Sequence, residues 1–501
     1  MPLPRLPRAL RTLALALATA LPALAAGAPL PAEVARILAE AGLPPEALGL
    51  VVAPAGPGPR FIAHAAEQPL QPGSTMKLVT TLVALEQLGP TFRTRTRLLA
   101  QGRVHQGVLH GDLVLQGEGD PDLDLPALRG LLQRARQRGM VGWRGRLVLD
   151  RSAFEPARPD LHLPPFDDAP EFEYNTVPDA LMVDGNLLRI DLRVGEQGLQ
   201  LWPATPIEGL HLSHAMTLVE GGCERWEALW KPPLYTPASW GRDAELRLQG
   251  AWPAGCERRV SLNVLPRNEH IERVVRTLWR ELGGHWQGEV VDGRAPPDAH
   301  VLAEHASRPL GELVRAINKP SDNALTRLVA LALGARSPGA AGDPTLTRAG
   351  QAIRRWMHSR GIDERGFVFD NGSGLSRSER LTPAQLEAVV RAGLASPWAP
   401  EFLASLPLVG LDGTMRRRLQ DGPAAGRARL KTGTLRNVVA LAGTLPDAAG
   451  RPLVLVAILN HERVRPAAAR PVIDAIVDWV SRQDLGARLA PAATARAASA
   501  P

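Results

Sequence analysis

Ser74 and Lys77 stand three residues apart in Gln71-Pro72-Gly73-Ser74-Thr75-Met76-Lys77, and the segment runs on into Leu78, Val79, Leu82, Val83 and Leu85. That pattern is a turn opening an apolar helix. Residues three apart share a helix face, so the lysine amine reaches the serine hydroxyl. The helix dipole favours negative charge developing near its N-terminus. A lysine held dry, or beside another cation, gives up its proton readily enough to serve as a base. The pair therefore has the makings of a nucleophile and its proton acceptor. A capping serine beside a solvated lysine has the same spacing, so the pair alone does not decide between them.

Two further segments carry complementary chemistry. Ser321-Asp322-Asn323 follows Asn318-Lys319-Pro320 and precedes a helical run through Leu325, Leu328, Val329 and Ala332. Ser321 can relay a proton between Lys77 and a leaving group, and Asn323 can hold Lys77 or a substrate amide; read alone, the segment is an ordinary helix start. Lys431-Thr432-Gly433-Thr434 lies between Arg427 to Leu430 and Val438 to Leu445 and reads as an edge strand with a glycine inside it. Glycine in a strand admits close approach of another backbone. A peptide can pair along such an edge, with Lys431 and the hydroxyls of Thr432 and Thr434 gripping a C-terminal carboxylate. The N–H groups of Ser74 and Thr434 then supply an oxyanion hole. The bland alternative is a lysine on a surface hairpin.

Other arrangements fail on spacing. Asp120-Pro121-Asp122-Leu123-Asp124 alternates acids like a calcium loop, but Leu125 and Leu131 occupy the sixth and twelfth positions, where glycine and glutamate belong. His211 with His214, and Glu269 with His270, lack the His-Glu-x-x-His pattern of a zinc peptidase. Ser373 has glycine neighbours but no Gly-x-Ser-x-Gly elbow, and Asn371-Gly372 reads as a tight turn.

These residues need elements to position them. Pro31 to Leu43 has helical spacing, and Leu48 to Val52 and Arg60 to Ala65 read as two strands. Near the other end, Val438 to Leu445 and Pro452 to Asn460 are apolar strands, and Pro471 to Ser481 carries a helical stripe. The two ends predict one sheet flanked by terminal helices. Between about Thr96 and His300, short strand patterns such as Val108 to Leu115 and Arg146 to Leu149 alternate with loops, which predicts an inserted region. Leu187 to Val264, with both cysteines, predicts a small domain nested inside it.

Order and context of the three motifs matter more than any one of them. Ser-x-x-Lys, Ser-x-Asn and Lys-Thr-Gly in this sequence order are the set used by penicillin-binding proteins and class A β-lactamases. The gap between the first two motifs is 247 residues (321 − 74), far more than a compact β-lactamase-like domain needs. The chain thus resembles the D-alanyl-D-alanine carboxypeptidase/endopeptidase family of the penicillin-binding protein 4 type (class C low-molecular-mass, peptidase family S13). Gly117 to Leu123, Asp370 to Arg377, and Leu406-Pro407 through Gly410-Leu411-Asp412-Gly413-Thr414 look like its recurring stretches.

The resemblance implies an α/β (α+β), β-lactamase/transpeptidase-like domain with large insertions between the first two motifs. It implies Ser74 as acyl-ester nucleophile, Lys77 as proton acceptor, Ser321 as third catalytic residue, and Asn323 and Lys431 to Thr434 in substrate binding. It also implies an acid and an aromatic from the insertion, with an arginine after the Gly-Leu-Ser stretch, contacting the stem peptide. The nearest matches are Asp168, Tyr174 and Arg377. Where some relatives carry glutamine two residues beyond the last motif threonine, this chain has Arg436. The expected partners are peptidoglycan peptides, with β-lactams as covalent inhibitors and no cofactor or metal. A β-lactamase-like hydrolase and a non-catalytic penicillin sensor are the rival readings, separated from it by deacylation rate and turnover.

Domain boundaries follow: a signal peptide at 1–25, a discontinuous catalytic domain at 26–95 and 301–485, an inserted domain at 96–186 and 265–300, a nested domain at 187–264, and a disordered tail at 486–501. The leader rests on Arg5, Arg8 and Arg11, the apolar stretch Leu13 to Leu24 and the small-x-small site Ala23-Leu24-Ala25. The apolar stretch is shorter than a bilayer span and is interrupted by Pro22, so export to the periplasm without a transmembrane anchor is expected. Loss of three arginines takes the formal charge from +7 to +4, and no basic block points to nucleic acid. Cys223 and Cys256 are the two cysteines; in an oxidising compartment they can bridge, or remain separate buried thiols. Oligomeric state leaves no trace in the sequence.

Overall fold

The computed structural model describes residues 30–161, 163–239 and 243–486. The leader at 1–25 and the tail from 487 onward lie outside the described residues.

Both ends of the chain build one antiparallel sheet of five strands, in the order Arg429–Leu435, Val438–Pro446, Pro452–Asn460, Leu48–Pro54, Ile62–His64. The three apolar strands in its middle are buried along nearly their whole length. Central strands covered on both faces read as continuous apolar runs, and these do. One face packs on the terminal helices Ala32–Glu40 and Pro466–Ser481. The last helix begins five residues before Pro471, which sits inside it. Pro466 occupies the first helical turn, where a missing N–H costs nothing.

The opposite face carries the helices Lys77–Leu88, Leu310–Asn318, Asn323–Ala335, Thr345–Ser359 and Pro383–Ala395. Every residue of Lys77 to Leu85 is buried, so this helix is surrounded by protein on all sides. Gly89, at φ +82°, ends it.

Residues 95–306 leave and return to this body. Their first layer is a five-stranded sheet in the order Val290–Gly293, Leu147–Asp150, Leu113–Gly117, Arg95–Ala100, His300–Ala306, with helices Leu125–Gln137 and Arg267–Glu281 on one face. The return strand His300–Ala306 pairs with Arg95–Ala100, so this sheet includes residues that composition had grouped with the catalytic part. The Val108 to Leu115 pattern is broken: strands Val108–His110 and Leu113–Gly117 join different sheets, and Gly111 at φ +153° separates them.

Within the insertion, Leu188–Gly195, Gly198–Pro203 and Arg258–Leu262 form a three-stranded sheet, and Ala244–Pro253 gathers Leu210–His214, Thr217–Val219 and Trp230–Thr236 around itself. Trp226 and Trp252 are buried among their apolar residues. Cys223 and Cys256 are joined by a disulfide with 4.7 Å between their Cα atoms. No helix among the described residues is long and apolar enough to cross a membrane.

Candidate active site

The serine segment enters its helix through a tight turn, Gly73–Met76, of 3₁₀ geometry. Gly73 has φ +51°, and a Cβ there would lie 3.1 Å from the Thr434 nitrogen. The Thr75 hydroxyl donates to the Pro72 carbonyl at 2.7 Å and pins the turn. Ser74 caps nothing; its Oγ faces the amine of Lys77 at 3.0 Å.

Lys77 is fully buried. Its Nζ also reaches Asn323 Oδ1 at 2.7 Å and the Ser373 carbonyl at 2.5 Å. Burial, aided by the Arg327 charge and opposed by Asp322 and Glu379, lowers the Lys77 amine to about 7. A neutral amine has two donors and one lone pair. With Asn323 and Ser373 taking the donors, the lone pair is left for the Ser74 hydroxyl.

Ser321 sits just ahead of the helix Asn323–Ala335 with φ +71°, an unfavourable backbone region for a residue with a side chain. Asp322 is the residue that caps the helix, accepting from the Leu325 N–H at 2.8 Å. This releases Ser321 and Asn323 for other bonds. Ser321 Oγ accepts from Lys431 Nζ at 2.8 Å, and Asn323 Nδ2 donates to the Tyr174 carbonyl at 3.0 Å.

Lys431, also fully buried, lies on the edge strand Arg429–Leu435. Burial and the Lys77 charge depress its amine well below the usual lysine range. Gly433 admits a close backbone approach, and the approaching backbone is that of the serine turn. A Cβ at Gly433 would lie 2.6 Å from the Pro72 carbonyl oxygen and 3.2 Å from the Ser74 nitrogen. The glycine thus brings the N–H groups of Ser74 and Thr434 to one place. Thr432 Oγ1 meets Thr414 Oγ1 at 2.8 Å, and Thr434 is exposed. The site carries two amines, the hydroxyls of Ser74, Ser321, Thr432 and Thr434, and the neighbouring backbone nitrogens of Ser74 and Thr434, a set that can form and break an acyl ester. Among the described residues no group of three or more histidine, cysteine or acidic side chains is arranged to hold a metal ion.

Several contributors lay hidden in the sequence. Glu379, fully buried, accepts from the N–H groups of Asn371, Gly372 and Gly374 at 3.1, 2.6 and 2.9 Å. It holds the loop that offers the Ser373 carbonyl to Lys77. Gly374, at φ +81°, lies against the Gly73 carbonyl so closely that a Cβ would come within 1.9 Å of it. Thr414 and Asp412 belong to a stretch noted only for its resemblance. The Lys319 amine bonds Asp412 at 2.5 Å, and the Thr414 N–H bonds the Lys319 carbonyl at 3.0 Å, fastening this loop to the one bearing Ser321. A buried glutamate serving backbone N–H groups has no sequence signature beyond its neighbouring glycines.

Asp168, Tyr174 and Arg377, the expected stem-peptide contacts, have these surroundings. Asp168 is exposed, and its neighbour Asp167 is the acid that accepts from the Tyr174 hydroxyl at 2.8 Å and from Asn175 at 2.6 Å. The aromatic ring over Arg377 is that of Phe166, 4.5 Å from the guanidinium carbon. Phe166 packs in turn against Leu375, Leu435 and Val438. Tyr174 stacks on Phe172. Arg436 is exposed in the turn after the edge strand.

Comparisons with known proteins point to one family. The model of the D-Ala-D-Ala carboxypeptidase 3 (S13) family matches residues 30–483. The chain is 26% identical over 399 residues to the D-alanyl-D-alanine carboxypeptidase DacB of Haemophilus influenzae, across 77% of this chain and 80% of that protein. It is 27% identical over 464 residues to the D-alanyl-D-alanine carboxypeptidase of an Actinomadura species, across 88% and 83%. The crystal structure of penicillin-binding protein 4 (dacB) from Haemophilus influenzae superposes with a TM-score of 0.71 at 20% identity, over 90% of this chain and 99% of that one. At that identity the superposition establishes a shared fold.

Proposed function

Because this chain belongs to the D-Ala-D-Ala carboxypeptidase 3 (S13) family of serine-type hydrolases, we propose that Ser74, Lys77, Ser321 and Lys431 carry out its reaction on peptidoglycan stem peptides. The observation that carries the assignment is the Lys77 amine: fully buried, lowered to about 7, and 3.0 Å from Ser74 Oγ.

Neutral Lys77 accepts the Ser74 proton as Oγ bonds to the carbonyl carbon of the penultimate D-alanine. The oxyanion takes hydrogen bonds from the N–H groups of Ser74 and Thr434. Collapse breaks the carbon–nitrogen bond, and the proton on Lys77 passes through Ser321 to the departing amine. That amine belongs to D-alanine in the carboxypeptidase reaction and to a neighbouring stem peptide in the endopeptidase reaction. Water then cleaves the ester, giving one proton to Lys77, which returns it to Ser74. Lys431 holds the C-terminal carboxylate with Thr432 and Thr434. A carboxylate arriving there favours the charged form of Lys431, so binding takes up a proton at that amine. Asn323 fixes Lys77. β-Lactams acylate the same serine and deacylate slowly. The site of action is the periplasm, reached through the leader at 1–25; among the described residues no helix is long and apolar enough to cross a membrane.

The test is to incubate the purified mature protein with labelled penicillin and with a D-alanyl-D-alanine peptide. Covalent label and released D-alanine are expected. Absence of both, with the protein folded, overturns the reading.

A further inference from the structure

Beside Ser321 lies a cleft of about 420 Å³ that none of these steps uses. One wall is Pro320 to Asn323; the other is the nested domain, through Trp226, Glu227 and Arg258; Glu173 and Tyr174 lie between them. The volume is in the range that takes a ligand of many atoms, whereas a departing D-alanine is small and has its carboxylate held elsewhere.

The direction of the cleft is informative. In the proposed reaction Ser321 hands the proton to the leaving amine, so space opening from Ser321 lies on the leaving-group side of the cut bond. The charges facing that space are unspent. Arg258 is exposed, stacks over the Trp226 ring at 5.1 Å, and pairs with no carboxylate among the described residues. Its neighbour Arg259 is instead held by both oxygens of Asp191, each at 2.7 Å. Glu227 has no ion pair among the described residues either, while Glu173 is acted on by both the like charge of Asp322 and the opposite charge of Arg189. An aromatic shelf with an unpaired guanidinium and the Glu227 carboxylate suits a ligand that carries both signs of charge.

The wall is also held rigidly. Cys223 is three residues from Trp226 and Cys256 is two from Arg258, so the disulfide ties together the two segments that face the cleft. Trp226 is further locked between Phe172 and Trp230, with ring centroids 5.6 and 5.7 Å away.

We propose that this cleft binds the amine-side peptide of a peptide–peptide cross-link, with Arg258 pairing one of its carboxylates and Trp226 supporting its chain. The inference rests on the assignment of Ser74 and Ser321 and adds a specificity site for the larger leaving group.

The experiment compares kcat/KM for a cross-linked muropeptide dimer with that for an uncross-linked peptide ending in D-alanyl-D-alanine, in wild type, R258A and R258E, alongside the rate of acylation by labelled penicillin. Loss of a charge-assisted contact should lower dimer cleavage about tenfold in R258A and further in R258E, with monomer cleavage and acylation within about twofold of wild type. Equal loss on dimer and monomer, or no loss on either, overturns the inference. A wild-type protein that is acylated and releases D-alanine but leaves dimers intact overturns it too, and leaves the assignment of Ser74 standing. Failure of acylation in the wild type removes that assignment instead.

Discussion

The seam between the helices and the catalytic sheet and the rim of the site, shared by the insertion and the catalytic part, treat charge in opposite ways. In the seam, Lys77 and Lys431 are both fully buried, bonded to neutral oxygens, and lowered from the usual lysine range. At the rim, Arg258, Arg377 and Arg436 are exposed and keep their charge free for a ligand. The comparison teaches that one fold runs two kinds of electrostatics. In the proposed reaction, dehydrated amines whose protonation can change do the bond-making, and hydrated guanidinium groups that stay charged do the selecting.

The largest effect tests the seam alone. Ser74→Ala should reduce D-alanine release and penicillin labelling by at least about four orders of magnitude, as removing a nucleophile does. Thermal unfolding should move little, since this serine caps no helix. A labelled Ser74→Ala protein would place the nucleophile elsewhere. The next prediction separates the two kinds of charge by pH. The neutral form of Lys77 is the active base, so the acylation rate should rise with pH through about 7 and level off above it. A rate that falls across that range contradicts the role given to Lys77.

Smaller effects probe the supports. Glu379→Gln replaces an acceptor of four backbone N–H bonds by a group that cannot accept them all. It should cost about 2–3 kcal/mol in denaturant unfolding and slow acylation through the displaced Ser373 carbonyl. Arg377→Ala at the rim should leave penicillin acylation unchanged and lower kcat/KM about tenfold for peptides with a charged third residue. Comparable losses for uncharged peptides would move Arg377 from selecting to structural duty.

The smallest expected effect on catalysis comes from the disulfide. Replacing Cys223 and Cys256 by serine opens a loop of sequence separation 33 and should destabilise the nested domain by about 3–4 kcal/mol by calorimetry. Acylation of Ser74, which lies in the other region, should not change.

Much of this arrangement was legible in the chain. The apolar strands 438–446 and 452–460, the serine helix and the edge strand with its glycine follow from local pattern, because strand and helix periods are written into adjacent residues. Gly433 was legible as a point of close approach, but not as the approach of the serine turn itself. Phe166 and Asp167 were not legible, since a loop has no period and its contacts depend on what lies across the cleft.

By itself the sequence determined the reactive residue types, their order, and the long insertion between Ser74 and Ser321, because these are properties of a linear string. Only the tertiary structure decided that Lys77 and Lys431 are dry, that Glu379 holds the loop facing Lys77, and that the nested domain walls a cleft beside Ser321. Burial and proximity between residues hundreds of positions apart are set by packing, and packing sets the proton affinity of an amine more strongly than its neighbours in sequence do.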